Sequence, residues 1–312
     1  MLIGIVTSTF GIMMLLPGDP ATVLLGQDAG VDAVAALRQQ LSLDDPWWIR
    51  LGRYFGDLMH GDLGTSIFQA QPVTEAIGAR LGATLEVAVV ALLVALVLGV
   101  GLGVLAALRK GTVVDTLAML FAQIGVSMPV FWLGILFMLL FAVQLDWLPA
   151  IGRGAPLLPS LAQALAGRPA PLLDSLAHLA MPALTLGLNG AAVVSRLVRA
   201  TMLETLGLDY VRTARAKGLP SRRVVFVHAL RNALLPIVSV VGLRFGALLG
   251  GAVLTESIFG WPGLGQLAVA AVSQRDIPLV QGIVLTFALM FALVNLAVDL
   301  LYGVIDPRVR LE

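Results

Sequence analysis

Four ionisable side chains fall inside or at the edge of long apolar runs: Glu86, Arg244, Glu256 and Asp299. A charge at the centre of a bilayer costs about 3 kcal/mol or more, so such groups face a bundle interior or a water-filled path. Arg244 sits near the middle of its run and is the leading candidate for a group lining a translocation path, with Glu256 as the second. The two lie twelve residues apart, about 18 Å along a straight helix, too far to pair. A structural partner for Arg244, either Asp299 or a helix C-terminal carbonyl, is the competing reading.

A second concentration of charge is cationic. Residues 196–231 hold eight of the 20 Lys and Arg. Within them Asp209-Tyr210-Val211-Arg212-Thr213-Ala214-Arg215-Ala216-Lys217 has the composition of a short helix, with Asp209 and Lys217 placed to complement its dipole. Gly218 reads as the stop, with Pro220 just beyond. Ser221 is placed to cap a second helix running through Val224, Val225 and His228. A bounded cationic helix of this kind is either a topology determinant alone or a rigid peg for a partner.

Catalytic chemistry is missing. The chain has no cysteine, which removes disulfides, thiolate metal sites and a cysteine nucleophile. Its two lysines, Lys110 and Lys217, stand outside any G-x-x-x-x-G-K-[ST] phosphate loop. His60, His178 and His228 are far apart and show no paired ligand spacing. A G-x-S-x-G elbow is also absent. The expectation is a non-enzyme with no metal and no cofactor of its own.

The elements that carry these groups must be membrane helices. The 312 residues are 58% hydrophobic and 12% charged, with a mean hydropathy of +0.94. Soluble domains carry about 25% charge. A soluble fold would leave much of this apolar surface in water. The net charge of +1 offers no general patch for nucleic acid. Charge-free runs at Met1–Gly18, Val87–Leu108, Thr116–Leu145, Ser175–Ser195 and Ile277–Val298 approach or exceed the length of a spanning helix, as does Asn232–Thr255 if Arg244 is tolerated. They are continuous rather than alternating, which excludes a barrel. The prediction is an all-α membrane protein with six transmembrane helices in one domain over residues 1–312. The short first run has no basic residue before it, which predicts a span with a clipped start rather than a signal peptide.

Loops 109–115, 196–231 and 299–312 hold 12 basic residues in 57, whereas the loops between them hold 7 in 118. The positive-inside rule then makes both termini cytoplasmic, 19–82 an extracytoplasmic loop after helix 1, and 196–231 a cytoplasmic loop. Trp147 and Trp261 are expected as interfacial aromatics at outer helix ends. In the extracytoplasmic loop, Val34, Leu37 and Leu41 predict a helix over 31–41. Trp47-Trp48-Ile49 and Tyr54-Phe55 suit either the membrane interface or an external partner. A short helix is expected at 161–165. Gly99, Gly101 and Gly103, and Gly246, Gly250 and Gly251, signal close helix packing.

The 210–236 stretch, Tyr210-Val211-Arg212-Thr213-Ala214-Arg215-Ala216-Lys217-Gly218-Leu219 followed by His228-Ala229-Leu230-Arg231-Asn232-Ala233-Leu234-Leu235-Pro236, resembles the cytoplasmic signature of ABC-importer permeases. The variant is similar to that of the dipeptide, oligopeptide, glutathione and nickel branch. Four further blocks resemble that branch: Leu16-Pro17-Gly18-Asp19-Pro20; Gly61-Asp62-Leu63-Gly64 with Ser66 and Pro72-Val73; Thr255-Glu256 with Phe259 and Trp261-Pro262-Gly263-Leu264-Gly265; and Val298-Asp299-Leu300-Leu301-Tyr302 with Asp306-Pro307-Arg308. The general permease signature has an acidic residue where Arg212 stands.

The resemblance implies a type I ABC importer permease fold in a bacterial plasma (inner) membrane. It implies a second homologous permease subunit, two cytoplasmic ATPase subunits that bind ATP and Mg, and an extracytoplasmic solute-binding protein. Asp209, Tyr210, Arg212, Thr213, Ala214, Arg215, Lys217 and Gly218 would then form the coupling helix seated on an ATPase. The substrate implied is a di- or oligopeptide, with a nickel chelate or glutathione as alternatives. A stand-alone secondary transporter is the alternative of a different class, marked by inverted repeats or broken helices.

Overall fold

Unbroken apolar runs can be buried in lipid only if each backbone N–H and C=O is satisfied within its own segment, and the helix is the structure that does so. The computed structural model describes residues 2–15, 19–26 and 29–305. Its helices are α1 (Leu2–Leu15), α2 (Pro20–Leu25), α3 (Val31–Gln40), α4 (Trp47–Met59), α5 (Val73–Leu108), α6 (Val113–Ser127), α7 (Val130–Phe137), α8 (Leu157–Leu165) and α9 (Ala170–Leu206). They continue as α10 (Asp209–Ala216), α11 (Ser221–Arg223), α12 (Leu230–Ala233), α13 (Leu235–Ile258), α14 (Leu264–Gln274) and α15 (Ile277–Ile305). π-helical segments follow α7 at Met138–Gln144 and α11 at Val224–Ala229.

Among the described residues three helices are long and apolar enough to cross a membrane: α5, α9 and the Ile277–Val298 part of α15. The Val113–Ser127 and Val130–Gln144 segments, bent by 105°, make a fourth if the pair is one broken span. The run expected at 232–255 becomes α13, with 24 residues. α1 has 14 residues, about 21 Å of helix, shorter than the hydrocarbon core. The helix predicted at 31–41 is α3, and that predicted at 161–165 starts earlier, as α8.

Two expectations are corrected. The Thr116–Leu145 run is not one straight helix. Met128 precedes Pro129 and is extended, at φ −80° and ψ 129°, because the proline ring disfavours the helical region for the residue before it. Trp261 is not an interfacial aromatic. It is 1% exposed, and the Arg153 guanidinium stacks on its ring at 5.9 Å. Trp147, by contrast, is exposed as expected.

The chain forms two compact units. The first combines residues 1–84 with 262–292. Its core joins Val73 and Ile77 of α5 to Leu264 and Leu267 of α14 and Leu279 and Ile283 of α15. Asp276, fully buried, accepts from the Ser66 hydroxyl at 2.5 Å and from the Phe68 and Leu279 amides at 3.2 Å. It thereby caps α15 and ties the 61–72 turn to it. Asp19 caps α2 through the Ala21 amide and pairs with Arg38 at 2.8 Å. Arg38 also holds Asp44, and these carboxylates raise its pKa above the ordinary value.

The second unit combines residues 85–261 with 293–312. α5 and α9 interlock through small residues. A Cβ at Gly103 would lie 2.6 Å from the Val198 Cβ, and one at Gly187 would lie 2.7 Å from the Val94 Cβ. Backbones this close exclude any side chain at either position. Glu86 is a paired carboxylate. It accepts from Arg153 at 2.8 and 3.0 Å and from the Leu157 amide at 2.9 Å.

Candidate functional site

α10 is bounded as its sequence requires. Leu208 is extended at the N-cap position, and Gly207 joins it to α9. At the other end the Lys217, Gly218 and Leu219 amides fold back onto the Thr213, Arg215 and Ala214 carbonyls. Gly218 has φ +74°, a left-handed conformation natural to glycine at a helix stop. Ser221 does not cap the next helix. Pro220 occupies the N-cap position and Ser221 is already helical.

The helix has two faces with separate tasks. Val211 and Ala214 are buried against Val224, with Leu206 and Leu219 alongside. Asp209, Arg212, Thr213, Arg215, Ala216 and Lys217 are exposed. Arg212 approaches Asp209 at 3.5 Å, with the two side chains 73% and 95% exposed, so the contact leaves both free for a partner. Ala214, expected on the partner-facing surface, therefore belongs to the anchoring face.

Below α10 lies the π-helical segment Val224–Ala229, where the helical hydrogen-bond register shifts. Tyr210 and Asn232 converge on it. The Asn232 amide donates to the Tyr210 hydroxyl at 2.6 Å, and that hydroxyl donates to the His228 carbonyl at 3.2 Å. Tyr210 is thus part of a clamp on α10, and Asn232 is a site residue that residue-by-residue reasoning missed. No local pattern signals it, because the pair stands 22 positions apart and His228 contributes only its backbone carbonyl.

The anchor continues inward. Val225 and Ala229 pack into a cluster with Val104 of α5, Val198 and Met202 of α9, and Ile237 of α13. α10 is thereby linked, through the Val224–Ala229 segment, to three long helices. Arg199 adds a polar brace, donating to both Asp115 oxygens at 2.6 and 2.7 Å. Asp115 also accepts from the Gly111 amide at 3.0 Å. This fixes the 109–115 turn to α9, a link between two cationic loops that composition alone did not reveal.

Arg244 and Asp299 lie on α13 and α15, and their side chains fall outside the described residues. Glu256 is 1% exposed, and its backbone carbonyl accepts from the Trp261 amide at 2.8 Å. Among the described residues no group of three or more His, Cys, Asp or Glu could hold a metal ion.

Residues 99–311 match the family described as binding-protein-dependent transport system inner membrane component. The chain is 44% identical over 320 residues to the dipeptide transport system permease protein DppB of Escherichia coli (strain K12), covering 99% of this chain and 94% of that protein. It is 42% identical over 317 residues to DppB of Alkalihalophilus pseudofirmus, covering 99% and 95%. It is 40% identical over 296 residues to the glutathione transport system permease protein GsiC of Salmonella typhimurium, covering 95% and 90%. Among solved structures, an inward-facing MetNI methionine ABC transporter chain superposes with a TM-score of 0.58 at 18% identity, covering 75% of this chain and 97% of that one. That likeness carries the fold.

Proposed function

Since the chain belongs to the family of inner-membrane components of binding-protein-dependent transport systems, we propose that it is the permease subunit of an ATP-driven importer of di- or oligopeptides, with α10 as its coupling helix. The full-length relatives named for dipeptide transport support the substrate class. Glutathione, itself a tripeptide, is the second substrate reading, supported by the relative at 40% identity. The machine contains a second permease, two cytoplasmic ATPase subunits holding ATP and Mg, and an extracytoplasmic binding protein. The chain crosses a bacterial inner membrane six times, with both termini and α10 on the cytoplasmic side.

The observation that carries this reading is the division of α10 into an anchored face and an exposed cationic face. ATPase closure pushes on the exposed side chains. The helix moves as a body, because Val211, Ala214 and the Tyr210 clamp leave it no freedom to yield. The packed cluster beneath carries the motion into α5, α9 and α13, a switch driven by ligand binding in another subunit.

The test uses the assembled transporter in liposomes. Ala216→Trp, on the exposed face, is expected to lower dipeptide uptake about tenfold, the loss from roughly 1.4 kcal/mol of contact, while the melting temperature of the isolated chain stays the same. Wild-type uptake and ATP hydrolysis in that variant would remove α10 from the coupling role.

A further inference from the structure

A cavity of about 270 Å³ in the first unit is lined by α4, the 63–67 turn and the start of α15. Ligand pockets begin near about 300 Å³, so it suits a small head group. Tyr54 and Gln281 both line it. The Tyr54 hydroxyl and the Gln281 Nε2 are buried without a hydrogen-bond partner among the described residues. Gln281 is 5% exposed, and an unmade bond on so buried a group costs its full desolvation. Two orphaned donors among the residues lining one cavity mark a missing acceptor.

Arg50 also lines the cavity. Its guanidinium lies 5.7 Å from the centre of the Phe10 ring. Burial lowers its pKa from the ordinary value, yet a guanidinium stays charged in any protein. Burial pushes the Tyr54 phenol up to about 12, so it remains a donor at neutral pH. Two other charges border the cavity: Arg53, which is paired with Asp45 at 2.8 Å, and the exposed Asp57.

The remaining wall is largely apolar, with Leu43, Leu63 and Ile277 among its residues. A bare anion would leave that wall facing water. Phe10 belongs to the apolar α1, and Ile277 opens the spanning part of α15. The cavity therefore sits where apolar helices meet a polar loop, which is the depth of lipid head groups.

We propose that this cavity binds an anionic phospholipid. Arg50, Tyr54 and Gln281 donate to its phosphodiester oxygens, and Phe10, Leu43 and Ile277 lie against its glycerol and first acyl carbons. The bound lipid joins α4 to the entry of α15. The inference needs the chain only to lie in a membrane and is independent of the transport reading.

The test measures thermal melting of the full chain in detergent with three probes: dihexanoyl phosphatidylglycerol, inorganic phosphate and dialanine. The lipid is expected to raise the melting temperature, and its Kd is expected to weaken about tenfold in Tyr54→Phe and in Gln281→Leu, the loss of one charge-assisted hydrogen bond. Tyr54→Phe deletes the unpaired hydroxyl and Gln281→Leu replaces the amide that carries the unpaired Nε2, both at nearly constant volume, so without lipid they are expected to melt no lower than the parent. An absent lipid shift, or equal affinity in both variants, would overturn the proposal. A phosphate shift matching that of the lipid would reassign the cavity to a free anion, and a dialanine shift to a peptide; either outcome rejects the lipid.

Discussion

Ala214 shows how small a residue can decide where a helix sits. At 7% exposure it packs toward Val224, on the segment that follows its own helix. Ala214→Leu is expected to overpack that contact, at about 1–3 kcal/mol. Thermal melting of the isolated chain reads this as a lowered midpoint, and the assembled transporter loses uptake as well. Ala216→Trp moves the second readout alone, so the pair separates anchoring from partner contact. The ends of α10 were legible in Asp209, Gly218 and Pro220, because dipole, stop and proline rules act locally. The inward direction of Ala214 was not, since an eight-residue helix takes its face from what it lands on. The Asp276–Ser66 bond was equally hidden, joining residues 210 positions apart.

Among the elements, α5 and α9 are defined by what they lack. Gly99 and Gly103 on one meet Val194 and Val198 on the other, and Gly187 and Gly190 meet Val94 and Ala95 in return. Gly103→Val would bring its Cβ to 2.6 Å from the Val198 Cβ and add two methyl groups to be accommodated. The expected cost is about 3 kcal/mol, the upper end of overpacking, read as a fall in melting temperature and in membrane yield. Unchanged melting would mean that the two helices separate without penalty. The glycine spacing on α5 was visible in sequence as a packing signal, though its partner was not. The 105° bend at Met128–Pro129 was overlooked because hydropathy is blind to it. A run free of charge reads as one span, whereas the dihedral restriction before a proline is steric and local.

For the whole molecule, the separation of tasks within α10 bears on how such machines diversify. The anchoring of α10 rests on Val211, Ala214 and the Tyr210–Asn232 clamp, while Arg212, Thr213, Arg215 and Ala216 are exposed. Under the proposed coupling role, editing those four side chains is expected to exchange one ATPase for another without disturbing the anchoring face. Transplanting those four identities from a permease that works with a different ATPase is expected to redirect co-purification to that ATPase at an unchanged melting temperature. On the proposed reading, loyalty to a motor would be a surface trait, inherited separately from the architecture.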